Sequence, residues 1–319
     1  MMEVFADVAR NCERLLASRG IACEIRLLRG GVSLRPKKEI DSKDLAILSE
    51  LPIKELDLAG MQGIDLSPLS DLPLTSLNLR GTPIDNLSAL SGLRLTNLDL
   101  ALTPVETLSG LEGAPLKRLI LRGTKVAELG PVEEAPIREL DLALTSVTSL
   151  RGLREMPLRS LDLFKVAIDD IAPLRAMKLE ELHISGTGVK SLRPLRGMPL
   201  TSITLRATEI SNLSPLSECP LETVRLSGSA VQDISPLADA PVESLWIAGL
   251  DLADYAPLAR MPLKRLIVTA SHLDSSAQGV LQSLDQLESL GEAGDPEDQS
   301  PEVFWTRLEN GEYDDRLGQ

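Results

Sequence analysis

The feature that most constrains this chain is a repeat of 21 residues that runs through its middle without an insertion or deletion. Counted from Pro52, the repeat recurs eleven times and spans residues 52–282, and nine copies begin with proline. Positions 2, 5 and 7 are aliphatic in every copy, as in PLTSLNLRGTPIDNLSALSGL, 73–93. Copies in one register do not arise by chance, so the fold is built from one small unit stacked on itself.

The spacing within the unit predicts a short strand followed by a tight turn. Positions 5 and 7 share one face of a strand, while positions 4, 6 and 8 point the other way. Position 10 is Thr or Ser in eight copies, and a hydroxyl there can pair with a backbone group that would otherwise be buried alone. The LSPL segment that follows offers serine as a helix cap and proline at the first helical position, with room only for a 3₁₀ turn.

The consensus PLxxLxLxGTxIxxLSPLxxM resembles the leucine-rich repeat family, and it is similar to the short bacterial type with internalin-like repeats. The resemblance covers about three quarters of the chain, with Thr largely replacing the family's usual Asn at position 10. It implies an α/β solenoid, a horseshoe with a parallel β-sheet on its concave face and short 3₁₀ or turn segments on its convex face. It implies the fold but not the function, because one fold serves many tasks.

The ends of such a solenoid need caps, because the terminal repeats would otherwise expose their core. We interpret residues 1–51 as an α-β-β-α cap whose last helix is capped by Asp41 or Ser42 and runs to Leu51. At the other end, apolar residues at helical spacing predict a closing helix over 275–290.

Residues 291–319 are predicted to form an acidic linker and a short aromatic helix or tail. Residues 283–319 hold eleven Asp and Glu against two Arg, and Phe304, Trp305 and Tyr313 are three of the chain's seven aromatic side chains. Two interpretations stay open. The helix packs on the C-terminal cap, or the segment is a tethered peptide that docks through these aromatics on a partner or on the solenoid itself.

The charge balance narrows the class of partner. The chain has 33 Lys and Arg against 47 Asp and Glu, a net charge of −14, and shows no basic stretch that would attract nucleic acid or an anionic membrane. The three cysteines fit no metal motif. The sequence shows neither a secretory signal nor the run of ~18 apolar residues that spans a membrane. We therefore expect a cytoplasmic protein without cofactor or metal, monomeric or weakly homo-oligomeric.

The outward positions of the strands supply the candidate binding residues of the concave face. Apolar anchors stand there where polar side chains are usual, and charged residues accompany them. The candidates are Phe164, Trp246, Ile120, Asp141, Asp162, His183 and Arg225. Aromatic and Arg side chains are typical anchors of protein interfaces, and Arg225 is placed to lie over the ring of Trp246 on the next strand. A solvated face with compensated charge is the alternative interpretation.

We interpret the chain as a non-enzymatic protein-interaction module that binds a protein or peptide through its concave face. One alternative is an autoinhibited or self-assembling regulator whose tail docks on its own or a neighbour's solenoid. A remote alternative is a hydrolase, because Asp162, His183 and Thr204 follow one another on adjacent strands like a carboxylate–histidine–hydroxyl triad. We disfavour catalysis, since side chains on adjacent strands point in parallel and no oxyanion hole is evident.

Overall fold

The structure is a computed structural model that describes residues 2–48, 51–296 and 299–313. The chain divides into two compact units, Met1–Leu158 and Arg159–Gln319, and the boundary lies inside the array of repeats. Each unit therefore holds a run of consecutive repeats together with one end of the chain. None of the helices in the described part is long and apolar enough to cross a membrane.

The first unit combines two helices with seven described strands. The helices are α1 (Met2–Ser18) and α2 (Ser42–Ile47). The strands are β1 (Cys23–Leu28), β2 (Gly31–Pro36), β3 (Ile53–Asp57), β4 (Ser76–Asn78), β5 (Asn97–Asp99), β6 (Arg118–Ile120) and β7 (Glu139–Asp141). β1 and β2 form an antiparallel hairpin, and from β2 to β7 each strand runs parallel to the next one in sequence.

The second unit also shows seven strands in its described part, all parallel to their neighbours in sequence. They are β8 (Ser160–Asp162), β9 (Glu181–His183), β10 (Ser202–Thr204), β11 (Thr223–Arg225), β12 (Ser244–Trp246), β13 (Arg265–Val268) and β14 (Ser289–Glu292). Its helices are α3 (Ser275–Gln282) and α4 (Pro301–Glu309).

The repeat places its aliphatic side chains where the spacing predicts. Leu98 and Leu100 in the first unit are 2% and 0% exposed, and Leu245 and Ile247 in the second are 0% and 3% exposed. Strands align repeat position by repeat position, so that Leu245 lies beside Leu266 on the next strand. The stacked leucines form the core, and each unit confirms the predicted leucine-rich repeat architecture.

The hydroxyl at position 10 satisfies a buried carbonyl, as predicted. In six repeats a threonine Oγ1 donates to the carbonyl of position 7, three residues earlier, at 2.6–2.7 Å; these are Thr82, Thr103, Thr124, Thr145, Thr187 and Thr208. Ser229 occupies the same position, but its buried Oγ has no partner in the part of the chain that the structure describes.

In most repeats the chain returns from strand to strand through a 3₁₀ helix. In the first unit these are Ser67–Leu69, Ser88–Leu90, Gly130–Val132 and Arg151–Leu153. In the second they are Ala172–Leu174, Arg193–Leu195, Ser214–Leu216, Ser235–Leu237, Ala256–Arg260 and Ala270–His272.

The predicted serine cap of these segments is wrong. Serine is the first residue of the 3₁₀ helix, and its N–H is bound by an Asp or Asn side chain two residues earlier. The Ser235 N–H donates to Asp233 at 2.8 Å, and the Ser214 N–H donates to Asn212 at 2.9 Å. The short side chain at position 14 therefore caps the turn, because its oxygen reaches the first free N–H without distorting the backbone.

Both end helices are shorter than predicted. α2 begins after its cap, Asp41, but ends at Ile47 rather than Leu51, and residues 49–50 lie outside the described residues. The predicted helix over 275–290 ends at Gln282 as α3, and Ser289–Glu292 form β14 instead. Pairing with β13 explains the change, because β14 satisfies a strand edge that would otherwise stay unpaired and buries Leu290 completely.

Candidate functional site

Acidic side chains at position 6, the last residue of the strand, hold the turn that follows by accepting a backbone hydrogen bond. The carboxylate of Asp162 accepts a hydrogen bond from the Phe164 N–H at 2.8 Å, and that of Asp141 accepts one from the Ala143 N–H at 2.9 Å. Three other copies form the same bond, through Asp57, Asn78 and Asp99. Such Asx contacts shape the turn, so Asp141 and Asp162 are scaffold residues as well as candidate contacts.

The charges on the sheet face of the first unit compensate one another. Arg122 Nε lies 2.9 Å from Asp141 Oδ2, with both side chains largely covered at 29% and 16% exposure. Arg118 Nε lies 2.9 Å from Glu139 Oε2 in a much more exposed pair. The acidic side chain predicted at Asp141 is thus neutralised by its own neighbour.

Apolar side chains nevertheless reach the surface of the first unit. Leu102 and Leu144 are 54% and 46% exposed, and Ile120 is half-buried on β6. Both leucines occupy position 9 with a left-handed backbone, at φ 60° and 58°. That position is glycine in six repeats, because a side chain is strained in this conformation. Leu102 leans over Gly123, where its Cδ2 would lie 2.9 Å from an added Cβ.

On the second unit, Phe164 stands beside His183 and Lys165. The ring centroids of Phe164 and His183 are 5.4 Å apart, and Lys165 Nζ lies 5.3 Å from the Phe164 centroid. His183 Nδ1 lies 3.2 Å from Asp162 Oδ1. Phe164 is half-buried, so its ring is held in place by neighbours and still presents an edge to solvent.

Trp246 lies further along the same face and is also half-buried. The guanidinium carbon of Arg225 lies 4.0 Å from its ring centroid, which confirms the predicted cation–π contact. The next residue of this row, Ile267, is only 4% exposed because Gly291 of β14 pairs beside it. The open part of the row therefore ends at Trp246.

A hollow of about 540 Å³ opens on this face between the Phe164 side and the Arg225 side. Small residues form part of its lining: Ser185 and Gly186 stand at positions 8 and 9 of repeat seven, and Ala207 stands at position 9 of repeat eight. The full lining is Phe164, Lys165, His183, Ser185, Gly186, Thr204, Arg206, Ala207 and Arg225. Sequence reasoning proposed Phe164, His183 and Arg225 but missed Lys165 and Arg206.

Of the triad-like row Asp162, His183 and Thr204, only the contact between Asp162 and His183 is seen among the described residues. Thr204 pairs with His183 in the strand register, but no hydrogen bond joins their side chains within this described region. No group of three or more His, Cys, Asp or Glu side chains in the described part could hold a metal ion. The arrangement fits a held imidazole at a surface better than a nucleophile with its base.

The three aromatic residues of the C-terminal segment pack against each other. Phe304 is 0% and Tyr313 2% exposed, with ring centroids 5.2 Å apart, and Trp305 meets Phe304 edge-on at 5.3 Å. Helix α4, which carries Phe304, contacts β14. Phe304 and Tyr313 therefore lie in the core at the chain's own C-terminal end, with Trp305 half-buried beside them.

A largely buried ion pair joins Asp295, which lies in the predicted acidic linker, to Arg307 of α4. Arg307 Nη1 lies 2.8 Å from Asp295 Oδ1, and the Asp295 side chain is 1% exposed. The Tyr313 hydroxyl donates to Asp295 Oδ2 at 3.0 Å. Burial alone would raise the pKa of Asp295, but hydrogen bonds from Arg307, the Glu292 N–H and Tyr313 hold that pKa below its usual value.

Comparison with known proteins bears on the fold. No family model and no curated protein matches the chain. An internalin, InlF, from Listeria monocytogenes is 22% identical at a TM-score of 0.66, over 77% of this chain and 75% of that one. The leucine-rich repeat domain of APL1B is 16% identical at a TM-score of 0.52, over 72% of each chain. InlJ from Listeria monocytogenes is 15% identical at 0.51, over 80% of this chain and 66% of that chain. These likenesses show the leucine-rich repeat fold alone.

Proposed function

We propose that this chain is a non-enzymatic interaction module that binds a protein or peptide through the exposed face of its strands. The observation that carries the proposal is a pair of aromatic rings, Phe164 and Trp246, on a sheet face where polar side chains are usual. Each ring is half-buried and lies against a cation, Lys165 or Arg225. Rings held in this way lose little conformational entropy on binding, and aromatic and Arg residues dominate interface energies.

The proposed contacts form one set on each unit. On the first unit, Ile120, Leu102 and Leu144 supply apolar surface beside Asp141. On the second, Phe164 and Trp246 are the anchors, with Asp162, His183 and Arg225 around them. The net charge of −14 disfavours nucleic acid and anionic membrane as partners.

The chain ends serve in this proposal as caps around the eleven repeats of 52–282. Residues 1–51 close the first end, and α3, β14 and the segment 291–319 close the other. Burial of Phe304 and Tyr313 favours capping over a tethered regulatory peptide. We further propose a cytoplasmic protein that is monomeric or weakly homo-oligomeric and carries out no reaction of its own.

Site-specific crosslinking tests the binding face directly. A photoreactive amino acid in place of Trp246 should crosslink a partner in native lysate, because the side chain sits at the end of the open row. The matched control is the same amino acid at Ser217, an exposed residue that follows a 3₁₀ helix of the same unit. Crosslinks of equal yield and pattern from both positions would refute a binding face on the strands.

Alanine variants separate binding from folding. Phe164→Ala and Trp246→Ala remove half-exposed rings that are not part of the leucine core, so the urea midpoint should change little while partner capture falls. If capture survives both substitutions, the aromatic anchors are wrong. If a truncation before α4 instead increases capture without unfolding the repeats, the autoinhibited alternative is the better description.

A further inference from the structure

The hollow on the second unit has a cationic lining. Lys165, Arg206 and Arg225 line it together with His183, and no carboxylate is among its described lining residues. On the strand beside it, the carboxylate of Asp162 is already held by His183 and by the Phe164 N–H. A chain with a net charge of −14 thus presents a locally positive depression on its proposed binding face.

The exposed Arg206 is well suited to an external anion. Its guanidinium has no ion-pair partner within the residues that the structure describes. A guanidinium forms paired hydrogen bonds with a carboxylate, which gives direction as well as attraction. A carboxylate placed in the hollow would therefore meet Arg206 without displacing an existing partner.

Lys165 lies at the edge of the hollow and has a backbone conformation that is unfavourable for a residue other than glycine. Its φ is 54° at position 9 of the repeat, where six repeats have glycine. Its side chain crosses Gly186 on the next repeat, with Cγ 3.0 Å from where a Cβ on that glycine would lie. A strained residue that projects a charged side chain into a depression points to a contact.

Screening favours a ligand with few charges over a polyanion. At physiological salt, exposed charges are screened beyond ~8 Å, so a carboxylate in the hollow interacts mainly with its lining. Nucleic acid or an anionic membrane must extend past the hollow, over a chain with 47 Asp and Glu against 33 Lys and Arg. Repulsion between the polyanion and the acidic surface outside the hollow opposes the attraction inside it.

The two aromatic rings set the length of the ligand. Four strand spacings separate β8, which Phe164 follows, from β12, which carries Trp246. At about 4.8 Å each, they span about 19 Å, which an extended chain of about six residues covers. A small anion cannot touch both rings, but a peptide segment crossing the strands can.

We propose that this face binds an extended acidic peptide segment of a partner protein. Its middle carboxylates would pair with Arg206 and Lys165, and an apolar side chain at each end would lie on Phe164 and on Trp246. The proposal rests on the proposed function and names the chemistry of the partner.

Labelled peptides test the inference by fluorescence anisotropy. The acidic probe is FEDEDL and its neutral match is FQNQNL, which keeps length and apolar ends. We expect the acidic peptide to bind at least about tenfold more tightly, and more weakly as salt rises. Arg206→Gln and Lys165→Gly should each weaken it about tenfold. Arg196→Gln, the same charge change at an exposed residue after a 3₁₀ helix, should have no effect.

A second readout locates the peptide. In a Trp305→Phe protein Trp246 is the remaining tryptophan, and the acidic peptide should change its emission. The inference fails if the neutral peptide binds equally, if neither peptide binds, or if Arg196→Gln weakens binding as much as Arg206→Gln. It also fails if single-stranded DNA or phosphatidylserine vesicles displace the peptide at equal charge concentration.

The two proposals fail in different ways. Crosslinks from Trp246 to a partner protein, without binding of the acidic peptide, would leave the interaction module standing and remove the acidic segment. Absence of both the crosslinks and the peptide binding would remove both proposals, because the acidic segment presupposes a binding face.

Discussion

Replacing Leu102 or Leu144 by glycine should leave the fold as stable as before, although a large side chain is lost. Both residues adopt the left-handed conformation, at φ 60° and 58°, which costs a non-glycine residue about 1–2 kcal/mol. Glycine removes that strain. Glycine also raises the conformational entropy of the unfolded chain, which removes about 0.4–1 kcal/mol of this gain in stability.

The burial lost with the leucine side chain cancels most of the remaining gain in stability. Leu102 is 54% exposed, so roughly half of the about 1.5–3 kcal/mol for burying a leucine is at stake, or about 1 kcal/mol. The net change on Leu102→Gly is then close to zero. Leu102→Ala loses the same contacts but keeps the strain, so alanine should be less stable than glycine by about 0.5–1 kcal/mol.

Urea unfolding followed by circular dichroism measures this order at both positions. The control is Leu100→Ala, two residues earlier and 0% exposed, which should lose about 2–5 kcal/mol. An alanine variant more stable than the glycine variant at both Leu102 and Leu144 would refute the strained turn. Retention of stability with loss of partner capture would show that these leucines are kept for contact.

Three further predictions concern stability. Asp295→Asn should lower the free energy of unfolding by on the order of 3 kcal/mol at neutral pH. The folded pKa of Asp295 is depressed, so its contribution to stability is present above its unfolded pKa of about 3.9 and is lost as pH falls through the lower folded value. The difference in the free energy of unfolding between wild type and Asp295→Asn should therefore shrink below about pH 4. A difference that stays constant with pH would contradict the ion pair. Ser229→Thr should raise stability by about 1 kcal/mol by restoring the missing hydroxyl bond, and Thr208→Val, which removes the hydroxyl, should lower it by a similar amount, as urea midpoints would show. Phe304→Ala should shift tryptophan emission to the red and cost about 3–5 kcal/mol, whereas Val303→Ala, at a side chain 47% exposed, should do neither.

The fold could be predicted because its signal is periodic. Positions 5 and 7 repeat in every copy, and one strand register fixes which side chains are buried and which face out. The same logic correctly paired Arg225 with Trp246. The end of the array has no such guide, since the leucines of 284–290 fit a helix by spacing. Leu290 instead lies in β14, because β13 offers an open edge to pair with, and a local sequence pattern gives no information about that edge.

The site was harder to predict because a residue at position 6 can both stabilise the turn and face a partner. Asp141 and Asp162 were predicted as candidate binding residues of the sheet face, and their carboxylates also hold the turn after the strand. That role depends on a backbone N–H two residues on and is invisible to charge counting. Asp295 sits in an acidic stretch that composition describes as a linker, and only the position of Arg307 makes it a buried anchor.

Departures from the repeat become informative when the backbone opposes them. At position 9 the turn favours glycine, so a substitution that the conformation tolerates poorly persists only if its side chain is useful. Leu102, Leu144 and Lys165 are such departures, and each places a long side chain at the surface. Ala207 shares the strained backbone, at φ 51°, but adds only a methyl group to the lining of the hollow. Ala207→Gly should therefore improve stability without affecting binding, whereas Lys165→Gly should affect binding without reducing stability. If both substitutions behave alike, the strain at position 9 carries no information about the binding face.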